Sequence, residues 1–131
     1  MCIFCQIINN KIPSFKVYEN DKILAILDIQ PVNAGHTIVM SKKHYPNIEE
    51  AGEDDLTAII LAIKKIGHLL KNKLGVAGYN VTANNDPVAG QIIPHLHFHV
   101  IPRREGDGLK LWPTFGYGPG EREKILKKLL S

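Results

Sequence analysis

His95-Leu96-His97-Phe98-His99-Val100-Ile101 alternates imidazoles with apolar side chains at a period of two. Successive side chains of a β-strand point to opposite faces. Residues 95–101 therefore read as a strand, stopped by Pro102. Leu96, Phe98 and Val100 would enter a core while the three imidazoles share the other face. Packing supplies no reason for histidine at every second position. A lone histidine would more often be structural; three in alternation mark a site.

Around this strand the chain changes period several times. Phe4, Ile7 and Ile8 are spaced for a short helix over 4–10. Residues 16–19 and 23–27 are β-type runs separated by Asn20-Asp21, a good hairpin turn pair. Pro31 to Gly35 reads as a loop, 37–40 as a short buried strand, and Lys42-Lys43-His44 as a basic loop. From 54 to 74, Leu56, Ile59, Ile60, Ile63, Ile66, Leu70 and Leu74 follow a helical stripe. Glu53, Asp54 and Asp55 stand at its start, Lys71 and Lys73 near its end, and Gly75 closes it, the charge order a helix dipole favours. Ala58, Leu61, Ala62 and Leu69 lie off that stripe, which suits either a dimer interface or a deeply buried helix. Residues 79–83 read as a strand, 84–90 as a polar loop, 112–120 as an irregular Gly/Pro-rich stretch and 121–130 as a closing helix. The strands and helices do not alternate strictly and the hairpin favours antiparallel pairing, so the fold class is α+β. No linker or repeat divides the chain, which reads as a single domain over 1–131, with a core over about 3–112 and a tail over 113–131.

The 131 residues are 44% apolar and 22% charged, with a net charge of +3. That suits one ordinary core and a soluble surface, and the charge excess is too small to argue for a nucleic-acid groove. No apolar run approaches the ~20 residues a bilayer span needs, and the first residues lack the basic and apolar regions of a secretory signal. With Cys2 and Cys5 as the only cysteines, the expectation is a cytoplasmic protein whose thiols are metal ligands or a redox pair.

Two chemistries suit the histidine strand. One is a shared metal ion, but residues i and i+4 of a strand lie roughly 13 Å apart while zinc–nitrogen bonds are only ~2.0–2.1 Å. A straight strand can lend two imidazoles to one ion, hardly His95 and His99 together. The other is a row of groups along a phosphate chain. Neutral imidazole is a competent nucleophile near pH 7, and nucleophilic catalysis divides a difficult displacement into two easier ones.

His-Leu-His-Phe-His-Val-Ile resembles the histidine triad (HIT) motif, in which three histidines alternate with apolar residues. Further matches fall in the family's order: the Cys-Ile-Phe-Cys start, Ile26-Leu27-Asp28-Ile29, Gly35-His36-Thr37, Ser41-Lys42-Lys43-His44, Asn84 and Gly90-Gln91. The similarity extends to about Trp112. It implies a mainly antiparallel five-stranded sheet with a long helix and short terminal helices. It also implies hydrolysis of a purine nucleotide, an adenosine phosphoramidate or a diadenosine polyphosphate, at the α-phosphorus through a nucleotidyl-histidine. By this resemblance His97 is the nucleophile, His99 contacts the phosphate, His36 supports the site electrostatically, and His95 orients His97. Asp28 and Ile29 would meet the ribose; Asn84, Gly90, Gln91 and Ile92 would line the phosphate region; Phe4, Ile7 and Ile26 match apolar positions around the base, though the residues by themselves read as core.

Two departures stand out. Ile92 occupies a position where relatives often have a Ser or Thr, so only its backbone can donate to a leaving group. Pro94 stiffens the approach to the strand. Cys2-x-x-Cys5 resembles the zinc-binding start of some bacterial relatives, completed by His44 and His95 as a closed structural site; free buried thiols or a redox pair compete with it. The family also implies a homodimer, with the 112–120 loop reaching a partner's site in some relatives. Arg103 and Arg104 could meet a longer phosphate chain or belong to a solvated turn. A nucleotide-binding regulatory module with little turnover, which would not need His97, is the alternative to an enzyme. A nucleotidyltransferase would need room for a second substrate.

Overall fold

The structure, a computed structural model, describes residues 2–131. In chain order it contains helix α1 (Ile3–Ile8), strands β1 (Lys16–Glu19), β2 (Ile23–Leu27) and β3 (Thr37–Ser41), helix α2 (Glu53–Leu74), strand β4 (Gly78–Thr82), a single 3-10 turn (Pro87–Ala89), strand β5 (His97–Arg103) and helix α3 (Glu121–Leu130). The strands form one five-stranded sheet in the order β1-β2-β3-β5-β4, and every neighbouring pair is antiparallel. The α+β class holds.

Local chemistry accounts for the hairpin and for both ends of α2. In the β1–β2 turn the Asn20 side-chain oxygen accepts from the backbone N–H groups of Lys22 (2.9 Å) and Ile23 (2.8 Å), an Asx turn of the kind asparagine favours. The α2 acids and lysines sit where expected, and Gly75 ends the helix in the left-handed region at φ +65°, where a Cβ would be penalised.

The sheet separates two apolar layers. On one face Ile23, Ala25, Val39, Phe98 and Val100 meet the α2 side chains Ile59, Ala62, Ile63, Ile66 and Leu70. On the other, Leu24, Ile26, Ile38 and Met40 meet Phe4 and Ile7 of α1. α2 thus buries one stripe. Ala62 lies in it and not off it, while Ile60, Leu61, Leu69 and Leu74 are exposed. Gly67 is buried in that stripe, and the absence of a Cβ there leaves room for the Tyr79 ring. Ile125, Leu126, Leu129 and Leu130 of α3 are exposed.

The histidine strand differs from its sequence reading at both ends. It begins at His97, two residues later than expected, because the His95 N–H turns back to the Ile93 carbonyl (2.8 Å) and the Leu96 N–H goes to Tyr45 (2.7 Å). Pro94 already biases Ile93 away from the helical region. The strand then runs through Pro102 to Arg103, paired with Tyr79 and Gly78 of β4. β3 ends its pairing at Val100, so beyond that residue one side of β5 needs no donor and proline is tolerated.

Ile66 is fully buried beneath the sheet. Ile66→Ala should cost roughly 2–5 kcal/mol, read as a lowered urea midpoint; an unchanged midpoint would contradict this packing.

Candidate active site

β5 is paired on both sides, and its alternation divides its residues between two environments. Phe98 and Val100 are buried toward α2, while His97 and His99 lie half-buried on the opposite face. The register aligns His97 with Met40, and His99 with Ile38 on one side and Thr82 on the other. The two imidazoles are 5.1 Å apart between ring centroids. His95 lies before the strand, wholly buried, and its imidazole belongs to a different cluster. Its ring is on the same α1 side of the sheet as His97, since Phe4 stands against both, but it is buried among the thiols, so only His97 and His99 line the open part of that face.

The proton on each ring follows from its partners. His97 Nδ1 lies 2.7 Å from the carbonyl oxygen of His95. A carbonyl can only accept, so Nδ1 carries the hydrogen and Nε2 keeps a lone pair. Burial lowers the pKa of this ring, and the His95 carbonyl offsets part of that shift. It is the backbone of His95, not its side chain, that orients His97.

A second chain of bonds sets His99. The Val32 N–H donates to His36 Nδ1 (3.1 Å), so the hydrogen of neutral His36 is on Nε2. That atom lies 2.8 Å from His99 Nδ1, which must accept, and the hydrogen of His99 is left on Nε2. Asp28 is 3.6 Å from His36 Nε2. Asp28, His36 and His99 have donor atoms grouped closely enough for a metal ion. The Val32 N–H nevertheless requires a bare Nδ1 on His36, which protonates the nitrogen a metal would need. Burial, then the neighbouring His97 and His36, push the His99 pKa down to about 4; burial also lowers that of His36, with Asp28 opposing.

Cys2, Cys5, His44 and His95 form the second cluster, with ligand atoms all within 4.8 Å of one another. Sγ of Cys2 is 3.5 Å and Sγ of Cys5 3.6 Å from His95 Nδ1; Cys5 Sγ is 3.4 Å and His95 Nδ1 3.1 Å from His44 Nδ1. A tetrahedron with zinc–nitrogen bonds of ~2.0–2.1 Å and zinc–sulfur bonds of ~2.3 Å has edges of about 3.3–3.8 Å. The His95 Nε2–H donates to the Ser41 carbonyl at 2.7 Å, which leaves Nδ1 as the ligand atom, the arrangement metal-bound histidines commonly use. The donor set fits zinc.

The remaining expected residues divide. Asp28, half-buried, lies beside His36, and its neighbour Ile29 is 91% exposed. Ile92 is also 91% exposed, so its side chain is held by nothing in the fold. Gly90 has φ +92°, and its carbonyl accepts from the Asn84 amide at 3.3 Å. Gln91 is tied differently from its reading as a donor to phosphate. Its amide nitrogen donates to the carbonyls of Pro46 (2.6 Å) and Ile93 (3.1 Å), and its oxygen accepts from the Asp86 N–H (2.8 Å); the side chain braces the loop. Arg103 and Arg104 are likewise engaged within the chain. Arg103 binds Asp107 through two nitrogens and also reaches Asn80 and the Leu109 carbonyl. Arg104 donates to the Ala34 carbonyl. Phe4, Ile7 and Ile26 are buried. Sequence reasoning missed Ser41, Val32 and the His95 carbonyl, because backbone groups leave no residue-type signal.

Comparison with known proteins gives concordant results. The profile described as "HIT domain" matches residues 9–106. An uncharacterized HIT-like protein of Methanocaldococcus jannaschii is 55% identical over 108 residues, covering 82% of this chain and 83% of that protein. An adenosine 5'-monophosphoramidase of Candida albicans is 41% identical, covering 98% and 88%. Among solved structures, a HIT family member from Bacillus subtilis superposes with a TM-score of 0.89 at 36% identity, covering 98% and 94%. A Zn-bound histidine triad family protein from Mycobacterium smegmatis does so at 0.79 and 31%, covering 98% and 92%.

With its pKa depressed, His99 is neutral in the folded chain where an unfolded histidine, at ~6.5, would take up a proton. The stability linked to this group is thus present above about pH 6.5 and lost as pH falls toward about 4. In an NMR titration the His99 Cε1 proton should stay at its neutral position from about pH 8 to about pH 5.5; a midpoint near the free value of ~6.5 would contradict the burial argument.

Proposed function

The chain belongs to the HIT domain family, and from that premise we propose that it hydrolyses a purine nucleotide at the α-phosphorus, with His97 as the nucleophile. One observation carries the reading: His97 gives its Nδ1–H to the His95 carbonyl, so the unprotonated Nε2 is the ring's free nitrogen. That nitrogen attacks the α-phosphorus, an N–P bond forms, and the bond to the leaving group breaks. The ring becomes positively charged as it does so, and its Nδ1–H bond to the carbonyl strengthens with that charge. His99, with its hydrogen on Nε2, donates to a phosphoryl oxygen, and His36 holds that tautomer from behind. Water then cleaves the N–P bond and releases a nucleoside monophosphate.

Asp28 accepts from ribose hydroxyls, a role suited to an acceptor-only carboxylate, with the exposed Ile29 beside it. The Asn84–Gly90 loop and the backbone at Ile92 face the phosphates, while Gln91 holds that loop in shape. The substrate class, an adenosine phosphoramidate or a diadenosine polyphosphate, is supported by the phosphoramidase of C. albicans, which favours the amine leaving group.

A zinc ion on Cys2, Cys5, His44 and His95 belongs to the same reading, supported by the donor spacing and by the Zn-bound relative. It would be closed to substrate by its four ligands and would supply structure, tying α1 to the loop after β3 and to the turn before β5.

A second copy of the chain completes the reading. The exposed Leu61 and Leu69 of α2 line one concavity with Tyr79 of β4, an edge strand, and together they suit an isologous interface. Sedimentation velocity should give twice the mass of one chain, and Leu61→Lys should shift it toward one; a wild-type monomer at micromolar concentration would remove the dimer from the proposal.

The chemistry is tested by incubating the protein with an adenosine phosphoramidate and a diadenosine polyphosphate side by side. Acid-quenched protein should carry a nucleotidyl group on His97 by mass. His97→Ala should lose activity by ~10³-fold or more, as expected when a covalent route is removed, with AMP binding retained. Unchanged turnover by His97→Ala would rule the mechanism out and leave a binding module.

A further inference from the structure

Two links join the Cys2/Cys5/His44/His95 cluster to His97, and only one of them runs through His95. In that link, the His95 ring lies in the cluster while its carbonyl receives the His97 Nδ1–H at 2.7 Å. The other is Phe4, which sits between the two cysteines in sequence and is 4% exposed. Its ring stands edge-on to His97 at 4.9 Å between centroids and 79° between planes. It also stands edge-on to His95 at 5.9 Å and 85°. Phe4 therefore occupies the angle between a ligand of the cluster and the proposed nucleophile.

The element that carries Phe4 has little stability of its own. α1 is six residues long, has no side-chain cap, and carries no acid in its first turn or base in its last. Isolated helices of that length do not persist in water. Its buried side chains are Phe4 and Ile7 alone. Phe4 and Ile7 seat one side of it against Leu24, Ile26, Ile38 and Met40, and Cys2 and Cys5, on either side of Phe4, bring two thiols to the group formed with His44 and His95. A ring that packs edge-on through two contacts holds its neighbour in orientation and adds no polar group to the reaction.

We propose that Phe4 is a positioning residue for His97, and that a metal ion held by Cys2, Cys5, His44 and His95 keeps it in place, so that occupancy of the ion governs turnover and leaves nucleotide affinity unchanged. This rests on the reading of His97 as nucleophile. An attacking nitrogen displaced by about 1 Å from its line costs ~10²-fold in rate, while the ribose and phosphate contacts assigned to Asp28 and the Asn84–Gly90 loop do not depend on that ring. Phe4, 4% exposed, belongs to the core and presents almost no surface to a base.

The test uses the full-length zinc-loaded chain, the same chain stripped by a chelator, and zinc-loaded Phe4→Leu, which keeps an apolar side chain and both cysteines. Zinc content, AMP affinity, kcat and KM on an adenosine phosphoramidate, and the NMR signal of the His97 Nδ1 proton are measured for each. Phe4→Leu should hold one zinc per chain and bind AMP within twofold of wild type, yet lose at least tenfold in kcat with a broadened Nδ1 proton. The stripped chain should show the same losses, and returning zinc should restore it but not Phe4→Leu. Wild-type kcat in Phe4→Leu overturns the proposal, as does a raised KM at constant kcat, which would place Phe4 against the nucleobase. If the stripped chain unfolds by circular dichroism, the loaded Phe4→Leu decides alone. A wild-type chain without turnover defeats the enzymatic reading by itself, and the His97 proton still decides whether Phe4 and the ion orient the ring.

Discussion

β5 is hydrogen-bonded along both edges, to β3 and to β4, and that double pairing constrains everything built around it. A strand paired on both sides cannot rotate about its axis, so its two faces are fixed toward different surroundings. Phe98 and Val100 are held against α2, and His97 and His99 are held on the side of α1. Slipping the register by one residue would exchange these sets, drawing imidazoles into an apolar layer and phenylalanine into the open. The apolar layer under α2 therefore stabilises the fold and the orientation of the site together.

Backbone groups choose the protons of the site. The His95 carbonyl protonates His97 on Nδ1, the Ser41 carbonyl protonates His95 on Nε2, and the Val32 N–H leaves His36 bare on Nδ1. Three identical side chains thereby become three different reagents: a lone pair facing outward, a lone pair facing a thiol cluster, and a donor aimed at a fourth ring. Burial reinforces the division by holding all of these rings below the ordinary imidazole pKa. The proposed chemistry of attack and of phosphate binding follows from this assignment of hydrogens more than from histidine content.

His95 is where the two clusters meet. Its position just before β5, in the turn made by Pro94 and closed on the Tyr45 carbonyl, lets its ring face the cysteines while its carbonyl faces His97. With its N–H turned to the Ile93 carbonyl and its ring buried, His95 completes a set of four donors with Cys2, Cys5 and His44. The two-residue delay therefore separates a metal-type site from a nucleotide-type site within five residues of sequence.

The sequence by itself determined the elements whose signals are local. The Asn20 turn, the acid-to-base order of α2, its closing Gly75 and the alternation of 97–100 are all short-range patterns, and each appears in the structure within a residue or two. It also marked, through residue type and family resemblance, the histidines, Asp28 and the cysteines. Only the tertiary structure decided what each of them touches. That the His95 ring turns into the thiol cluster, that Gln91 and Arg104 are bound within the chain, and that Phe4 rests on His97 depend on partners 45 to 93 residues away or on main-chain atoms. Those partners are brought near by the order of strands in the sheet, and a carbonyl oxygen is the same in every residue, so no pattern of side-chain types could have foretold which one a given imidazole would meet.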